Sequence, residues 1–152
     1  MRRAFTLLEL VFVIVIIGIL AKIGSEAFRT DYLRNDAAFV ALKIRQAQFE
    51  GIGFDHRTFD GSQIADTTGC LTLTQVSLEE NATAGRAAYR LHASLTGDLA
   101  GKTLCFDHLG MPHDDGSHIS TPMAAAATLT LTYGGRERNL TVLPRSGYVI
   151  IK

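Results

Sequence analysis

Between Phe5 and Ala21 the chain is apolar apart from two polar interruptions, Thr6 and Glu9, with Arg2 and Arg3 before the run and Lys22 after it. As a helix at about 1.5 Å per residue this stretch is about 25 Å long. That is a little short of a hydrocarbon core near ~30 Å, and slight thinning of a bilayer accommodates the difference. Every face of such a helix is apolar, so the surface of a soluble domain is a poor place for it. Lipid, or a bundle of like helices, is its natural solvent. The two arginines hold the N-terminus in the cytoplasm, and everything beyond Lys22 then faces outward.

Glu9 is the anomaly in this run. A carboxylate in an apolar membrane helix costs about 2.5–3.5 kcal/mol at the centre and less near an end. It lies near the start, where snorkelling to the interface is one solution and charge pairing is the other. A secretory signal peptide cut after Ala21 is the competing reading of the segment, and both the acid inside the apolar run and the run's length argue against it.

The helical pattern continues past Lys22. Leu33, Ala37, Val40, Ile44 and Ala47 recur in steps of four and three, an apolar stripe on one helix face. Arg29, Asp31, Arg34, Asp36, Lys43, Arg45 and Glu50 fill other positions, no proline interrupts Phe5 to Glu50, and Gly51 and Gly53 are stop signals. One helix of about 45 residues, near 68 Å long, is expected. Its first half is membrane or filament core, and its Ala-rich second half packs on a globular domain.

From Ile52 the composition changes. Residues 54–69 read as a loop. Leu71 to Thr74 alternates, and Val76 and Leu78 switch parity, which reads as a bulge or a bend in the strand. Residues 79–86 form a turn region. Tyr89, Leu91, Ala93 and Leu95 alternate with polar residues, Thr103 to Phe106 is a short strand, and residues 109–121 are a polar loop. Leu129, Leu131 and Tyr133 alternate with threonines, and Gly134-Gly135 turns the chain into Arg136–Leu143 as a hairpin. A turn at 144–147 precedes a last strand from Tyr148 to Ile151. Six or seven antiparallel strands after a long helix make an α+β fold. The chain then divides into a leader (1–4), a membrane segment (5–21), the outer half of the helix (22–51) and a β-rich domain (52–152).

Cys70 and Cys105 both lie in the outward part. They form either a disulfide, which over a loop of about 36 residues contributes about 3–4 kcal/mol, or two buried thiols. No CxxC spacing occurs, so zinc is not expected. His108, His113 and His118 lie near Asp107, Asp114 and Asp115, which reads as a metal-binding loop or, with less chemistry, as a solvated loop of turn-forming residues; no metal ligand is assigned. No HExxH, phosphate loop or nucleophile elbow is present, so neither catalytic residues nor a cofactor are expected. Charged residues are 20% and the net charge is zero, so the whole chain has no excess suited to nucleic acid. Arg136, Arg138, Arg145 and Lys152 against Glu137 nonetheless leave residues 134–152 at +3.

Ala4-Phe5-Thr6-Leu7-Leu8-Glu9 resembles the processing site of type IV pilins and type II secretion pseudopilins, with Ala4 where that family usually has glycine. The resemblance implies that a prepilin peptidase removes Met1 to Ala4 and that the new N-terminus at Phe5 is methylated. It further implies that Glu9 neutralises the α-ammonium of a neighbouring subunit during assembly with other pilins or pseudopilins. Phe106-Asp107-His108-Leu109-Gly110-Met111-Pro112, followed by a hairpin and Ser146-Gly147-Tyr148-Val149, resembles the GspH/FimT-type pseudopilin domain, with Tyr148 where that pattern has arginine. The expected protein is therefore a minor pseudopilin or pilin. It crosses the inner membrane of a Gram-negative bacterium once, and its β-domain is periplasmic. Relatives of the FimT type take up DNA through a Gly-Arg-x-Arg motif near the C-terminus. Gly135-Arg136-Glu137-Arg138 spells that motif in the hairpin turn, so DNA contact by Arg136 and Arg138 is the alternative, and a membrane-tethered domain of unrelated role is the other.

Overall fold

A computed structural model describes residues 7–27, 31–54, 67–83, 87–118 and 120–152. The expected cleavage point between Ala4 and Phe5 lies outside the described residues. The chain forms two compact units, Met1–Asp31 and Tyr32–Lys152. The described part of the first is one helix, α1 (Leu7–Ala27), with Glu9 in its first turn. In the second, α2 (Tyr32–Gly51) comes first. The sequence expectation was of one helix from Phe5 to Glu50; two helices are described, with residues 28–30 between them outside the described set.

The rest of the second unit is, in chain order, β1 (Cys70–Thr72), the short helix α3 (Gln75–Leu78), β2 (Ser94–Gly97), β3 (Thr103–Phe106), β4 (Pro112–His113), β5 (Ala127–Tyr133), β6 (Arg136–Val142) and β7 (Val149–Ile151). Among the described residues seven strands make two antiparallel sheets, in the orders β1-β3-β4 and β2-β5-β6-β7. The α+β class expected from the sequence is the class observed. The helix α2 packs against β1 and β3 of the first sheet and against β5, β6 and β7 of the second. Its whole expected stripe, Leu33, Ala37, Val40, Ile44 and Ala47, is buried there. Phe106, Leu104 and Leu73 from one side and Leu129, Leu131, Leu140 and Val142 from the other complete the core.

Local sequence accounts for the second sheet. Leu129 and Leu131 point inward while the intervening threonines are half-buried, the period of two that a strand with one covered face requires. Gly134 and Gly135 adopt φ of 59° and 75°, so the loop between Tyr133 and Arg136 has both central residues left-handed, the geometry that matches the twist of a two-residue hairpin. At the far end of α2, a Cβ on Gly51 would stand 2.5 Å from the Phe106 carbonyl oxygen. Only glycine lets the helix end that close to β3.

Three expectations need correction. Residues 75–78 are a helical turn and not a bulged or bent strand: the Thr74 hydroxyl caps it by accepting from the Ser77 N–H at 3.2 Å, leaving Val76 exposed and Leu78 buried. The alternation from Tyr89 to Leu95 is not one strand. Tyr89 makes an isolated bridge to Glu80, and β2 begins only at Ser94. Leu91 and Ala93 are still buried, but the N–H groups of His92 and Ala93 point at the Asp36 carboxylate and not into a ladder. Finally, the loop 109–121 contains β4, whose Pro112 and His113 pair with Phe106 and Cys105.

Candidate functional site

Three places carry the residues that the sequence singled out: the N-terminal helix, the end of β6, and the polar region between β3 and β5.

On α1 every described side chain from Leu8 to Ile23 is exposed, Phe12 at 64% and Ile17 at 59% among them. Burying such side chains gains about 25 cal/mol for each Å² of apolar surface. That gain requires a surrounding that the described residues of the first unit do not supply. Glu9 occupies the first turn, where the positive end of the helix dipole favours a carboxylate. Among the described residues no helix is long and apolar enough to cross a membrane. At about 1.5 Å per residue, Leu8–Ile23 extends about 24 Å against a hydrocarbon core near 30 Å. The expected membrane segment also included Phe5 and Thr6, which are not among the described residues.

Arg136 and Arg138 lie two residues apart on β6, on the face that further along carries buried Leu140 and Val142. Arg136 is exposed at the hairpin end and Arg138 is half-buried opposite Leu131. The C-terminus returns beside them: Asn139 and Lys152 exchange backbone hydrogen bonds of 3.1 and 2.9 Å. Arg145 is at the opposite end of the β6–β7 ladder, in the turn before Tyr148, so the basic residues of the tail do not form one continuous patch. Tyr148 has its own packing role, since the Arg45 guanidinium lies 5.8 Å from its ring centre.

The segment Phe106–Pro112 and the turn at Ser146-Gly147, distant in sequence, meet at the end of α2. Gln48 Nε2 donates to the carbonyls of Gly110 at 3.0 Å and Ser146 at 2.7 Å. Gly147 has φ of 62°, and a Cβ there would lie 2.7 Å from the Phe106 ring and 2.9 Å from the Gly110 oxygen. Asp107 Oδ1 accepts from the N–H groups of Leu109 (2.9 Å) and Met111 (2.8 Å), and this sets the turn. These residues are needed where they are because they hold a helix end, a strand and a turn together.

The six histidines and aspartates of the polar region do not converge on one point. His108 is exposed, and Asp114 pairs with Lys102 at 2.6 Å, holding the Lys102 ammonium above the usual lysine range. His113 is buried between Ser120, whose Oγ is 3.2 Å from Nδ1, and Asp107, whose Oδ2 is 3.6 Å from Nε2. Serine, histidine and aspartate thus stand in a row. However, the Ser120 hydroxyl donates to Asp115 Oδ1 at 2.7 Å, so its proton is not directed at His113 and the serine is not activated as a nucleophile. That hydroxyl is the main cause of an Asp115 carboxyl held below the ordinary aspartate range. His118 turns the other way. Its Nδ1 is 3.1 Å from the Phe106 carbonyl and its Nε2 is 3.3 Å from Cys70 Sγ. Cys70 and Cys105 face each other across β1 and β3 and are joined as a disulfide.

Sequence reasoning passed over Asp36, which is fully buried on the inner face of α2. Its carboxylate accepts from the Tyr89 hydroxyl at 2.7 Å and from the N–H groups of His92 and Ala93 at 2.8 and 2.7 Å. Burial raises the Tyr89 phenol well above its ordinary value, and the Asp36 carboxylate raises it further. The available signal was spacing. Asp36 falls three residues after Leu33 and four before Val40, so it lies within the apolar stripe and not beside it.

Residues 1–21 match the family described as the prokaryotic N-terminal methylation motif. No curated protein and no solved structure matches the chain. The matched segment contains Ala4, Phe5 and Glu9 and most of α1, and it makes the N-terminus of this α+β chain type IV pilin-like.

Proposed function

We propose that the chain is a structural, non-enzymatic minor subunit of a pseudopilus or pilus, of the GspH/FimT type, serving a type II secretion system or a type IV pilus. The observation that carries the reading is the methylation motif running directly into a helix that is apolar and exposed on all sides, with an acid in its first turn. A prepilin peptidase cuts between Ala4 and Phe5, and the new amine at Phe5 is methylated. The helix lies in the inner membrane before assembly and among the helices of other pilin-like subunits afterwards, with the second unit in the periplasm. Glu9 then pairs with the α-ammonium of Phe5 on an adjacent subunit, which turns two charges that are costly in an apolar medium into one pair.

The intact mass of the protein extracted from membranes tests this. Loss of residues 1–4 with one added methyl group is the expected result. Loss of residues 1–21 would make the segment a signal peptide and end the proposal.

A second reading is DNA contact by Arg136 and Arg138, favoured by their shared face on β6 and by Lys152 beside them. A few phosphate contacts give weak binding that falls steeply with salt. DNA affinity of the full chain that is unchanged in Arg136→Ala/Arg138→Ala would remove this reading.

A further inference from the structure

Cys70 Sγ, Cys105 Sγ and His118 Nε2 lie within 4.8 Å of one another. They come from β1, from β3 and from the region after β4, and Cys105 and His118 are buried while Cys70 is half-buried. We propose that the reduced chain binds one soft divalent cation of the Zn²⁺ class through these three atoms, and that the disulfide is the alternative, metal-free state of the same site.

The imidazole makes the case. A carbonyl oxygen can only accept a hydrogen bond, so the contact of His118 Nδ1 with the Phe106 oxygen places the proton of the neutral ring on Nδ1. Nε2 then turns its lone pair toward Cys70 Sγ. A ring fixed by a backbone carbonyl through one nitrogen, with the other aimed at sulfur, is the arrangement that orients metal-binding histidines. The two cysteines are register partners in the ladder, so the backbone holds their Cβ atoms together in either state. With Zn–S near 2.3 Å and tetrahedral angles the sulfurs of the reduced pair must stand about 3.8 Å apart, so the two thiolate side chains must swing apart from their bonded positions. Two thiolates neutralise a divalent cation, so the complex brings no net charge into a buried place. The half-buried Cys70 side leaves the fourth position to water.

The chemistry balances as follows. On binding, the two thiols lose one proton each to solvent, and Zn²⁺ takes two thiolates and the His118 lone pair. After the metal leaves, one thiolate attacks a small disulfide oxidant and releases one thiol. The second cysteine displaces the other, so that one oxidant disulfide becomes two thiols as the Cys70–Cys105 bond forms.

The test uses the full chain in detergent, reduced with a phosphine and kept free of oxygen, and titrated with Zn²⁺ against a chromophoric chelator. One Zn²⁺ per reduced chain and none per oxidised chain is expected. His118→Gln should weaken binding at least tenfold, and Co²⁺ should give sulfur-to-metal charge-transfer absorption that Cys70→Ser lacks. His118→Gln keeps the disulfide, so the near-ultraviolet circular dichroism of its oxidised form checks that it folds. Equal binding by the oxidised chain, unaltered affinity in folded His118→Gln, or a reduced chain that takes up no Zn²⁺ each overturns the proposal. None of these results bears on processing at Phe5, so this site and the pilin-like reading stand or fall separately.

Discussion

The two helices are nearly equal in length, 21 residues in α1 and 20 in α2, and they dispose of apolar surface in opposite ways. On α2 the apolar residues keep to one stripe, and the strands of both sheets cover it. On α1 they occupy all sides and remain exposed. Each helix also carries an acid among apolar residues. Asp36 has its partners within its own unit: a phenol and two backbone N–H groups. For Glu9, on the exposed apolar helix, the proposed partner during assembly is the α-ammonium of Phe5 on another subunit. On that proposal one helix is specified by folding and the other by assembly, and substitutions in the two should separate those outcomes.

The largest expected effect is on assembly. Glu9→Ala should insert in the membrane at least as well as the natural chain, because the cost of a carboxylate in an apolar medium is removed. Cleavage before Phe5 should be normal and the melting of the second unit unchanged. Co-purification and crosslinking with other pilin-like subunits should be lost. In a medium of low dielectric the pair favours one axial register, since sliding by one helical turn, about 5.4 Å, separates the charges. Incorporation at natural levels would reduce Glu9 to an interfacial residue and break the comparison.

Asp36→Ala should do the reverse. It leaves the Tyr89 hydroxyl and two N–H groups without their acceptor inside the fold, at about 1–3 kcal/mol each if none finds water. A total loss of about 3–5 kcal/mol is expected in denaturant melts of the full chain, with processing at Phe5 unaffected. A loss below about 1 kcal/mol would mean that the anchor does not hold α2 to residues 89–93.

Tyr89→Phe removes one of those three donors and leaves the carboxylate with two, so a smaller loss, about 1.5–3 kcal/mol, is expected. It also carries a pH signature. The folded phenol titrates above its unfolded value, so the folded state holds the proton longer and stability falls as pH rises past the ordinary tyrosine range near ~10. Tyr89→Phe should lack that alkaline decline, which melts between neutral pH and strongly alkaline pH would show.

What the sequence disclosed follows the range of the signal. The α2 stripe and the Gly134-Gly135 hairpin are periodicities or dipeptides that act over a few residues, and both were legible. The motif at 1–21 was legible for the same reason. Residues 75–78 were not, because Val76 and Leu78 fit a bulged strand as well as a capped turn, and the Thr74 cap decides between them. Residues 89–93 alternate as a strand does, yet the N–H groups of His92 and Ala93 are claimed by a carboxylate more than 50 positions earlier. The cluster of Cys70, Cys105 and His118 has no spacing motif because it exists only through the pairing of β1 with β3 and the return of the chain past β4.

The smallest expected effect belongs to a third acid, which sharpens the contrast from the exposed side. Asp115 accepts from the Ser120 hydroxyl and the Ser117 N–H, and its carboxyl is held below the ordinary range, chiefly by that hydroxyl. A carboxyl depressed in the folded state contributes stability above its unfolded value near ~4 and loses it as pH falls through the folded one. Unlike Asp36 it is open to water, which replaces whatever is taken away. Ser120→Ala should therefore cost only a few tenths of a kcal/mol at neutral pH, by the measure of exposed polar pairs. That difference should shrink further as melts are carried below pH ~4 and on through the depressed folded value, beneath which Asp115 is protonated in both proteins. A cost like that expected for Asp36→Ala would show that Ser120 acts through buried His113, 3.2 Å away, and not through the exposed acid.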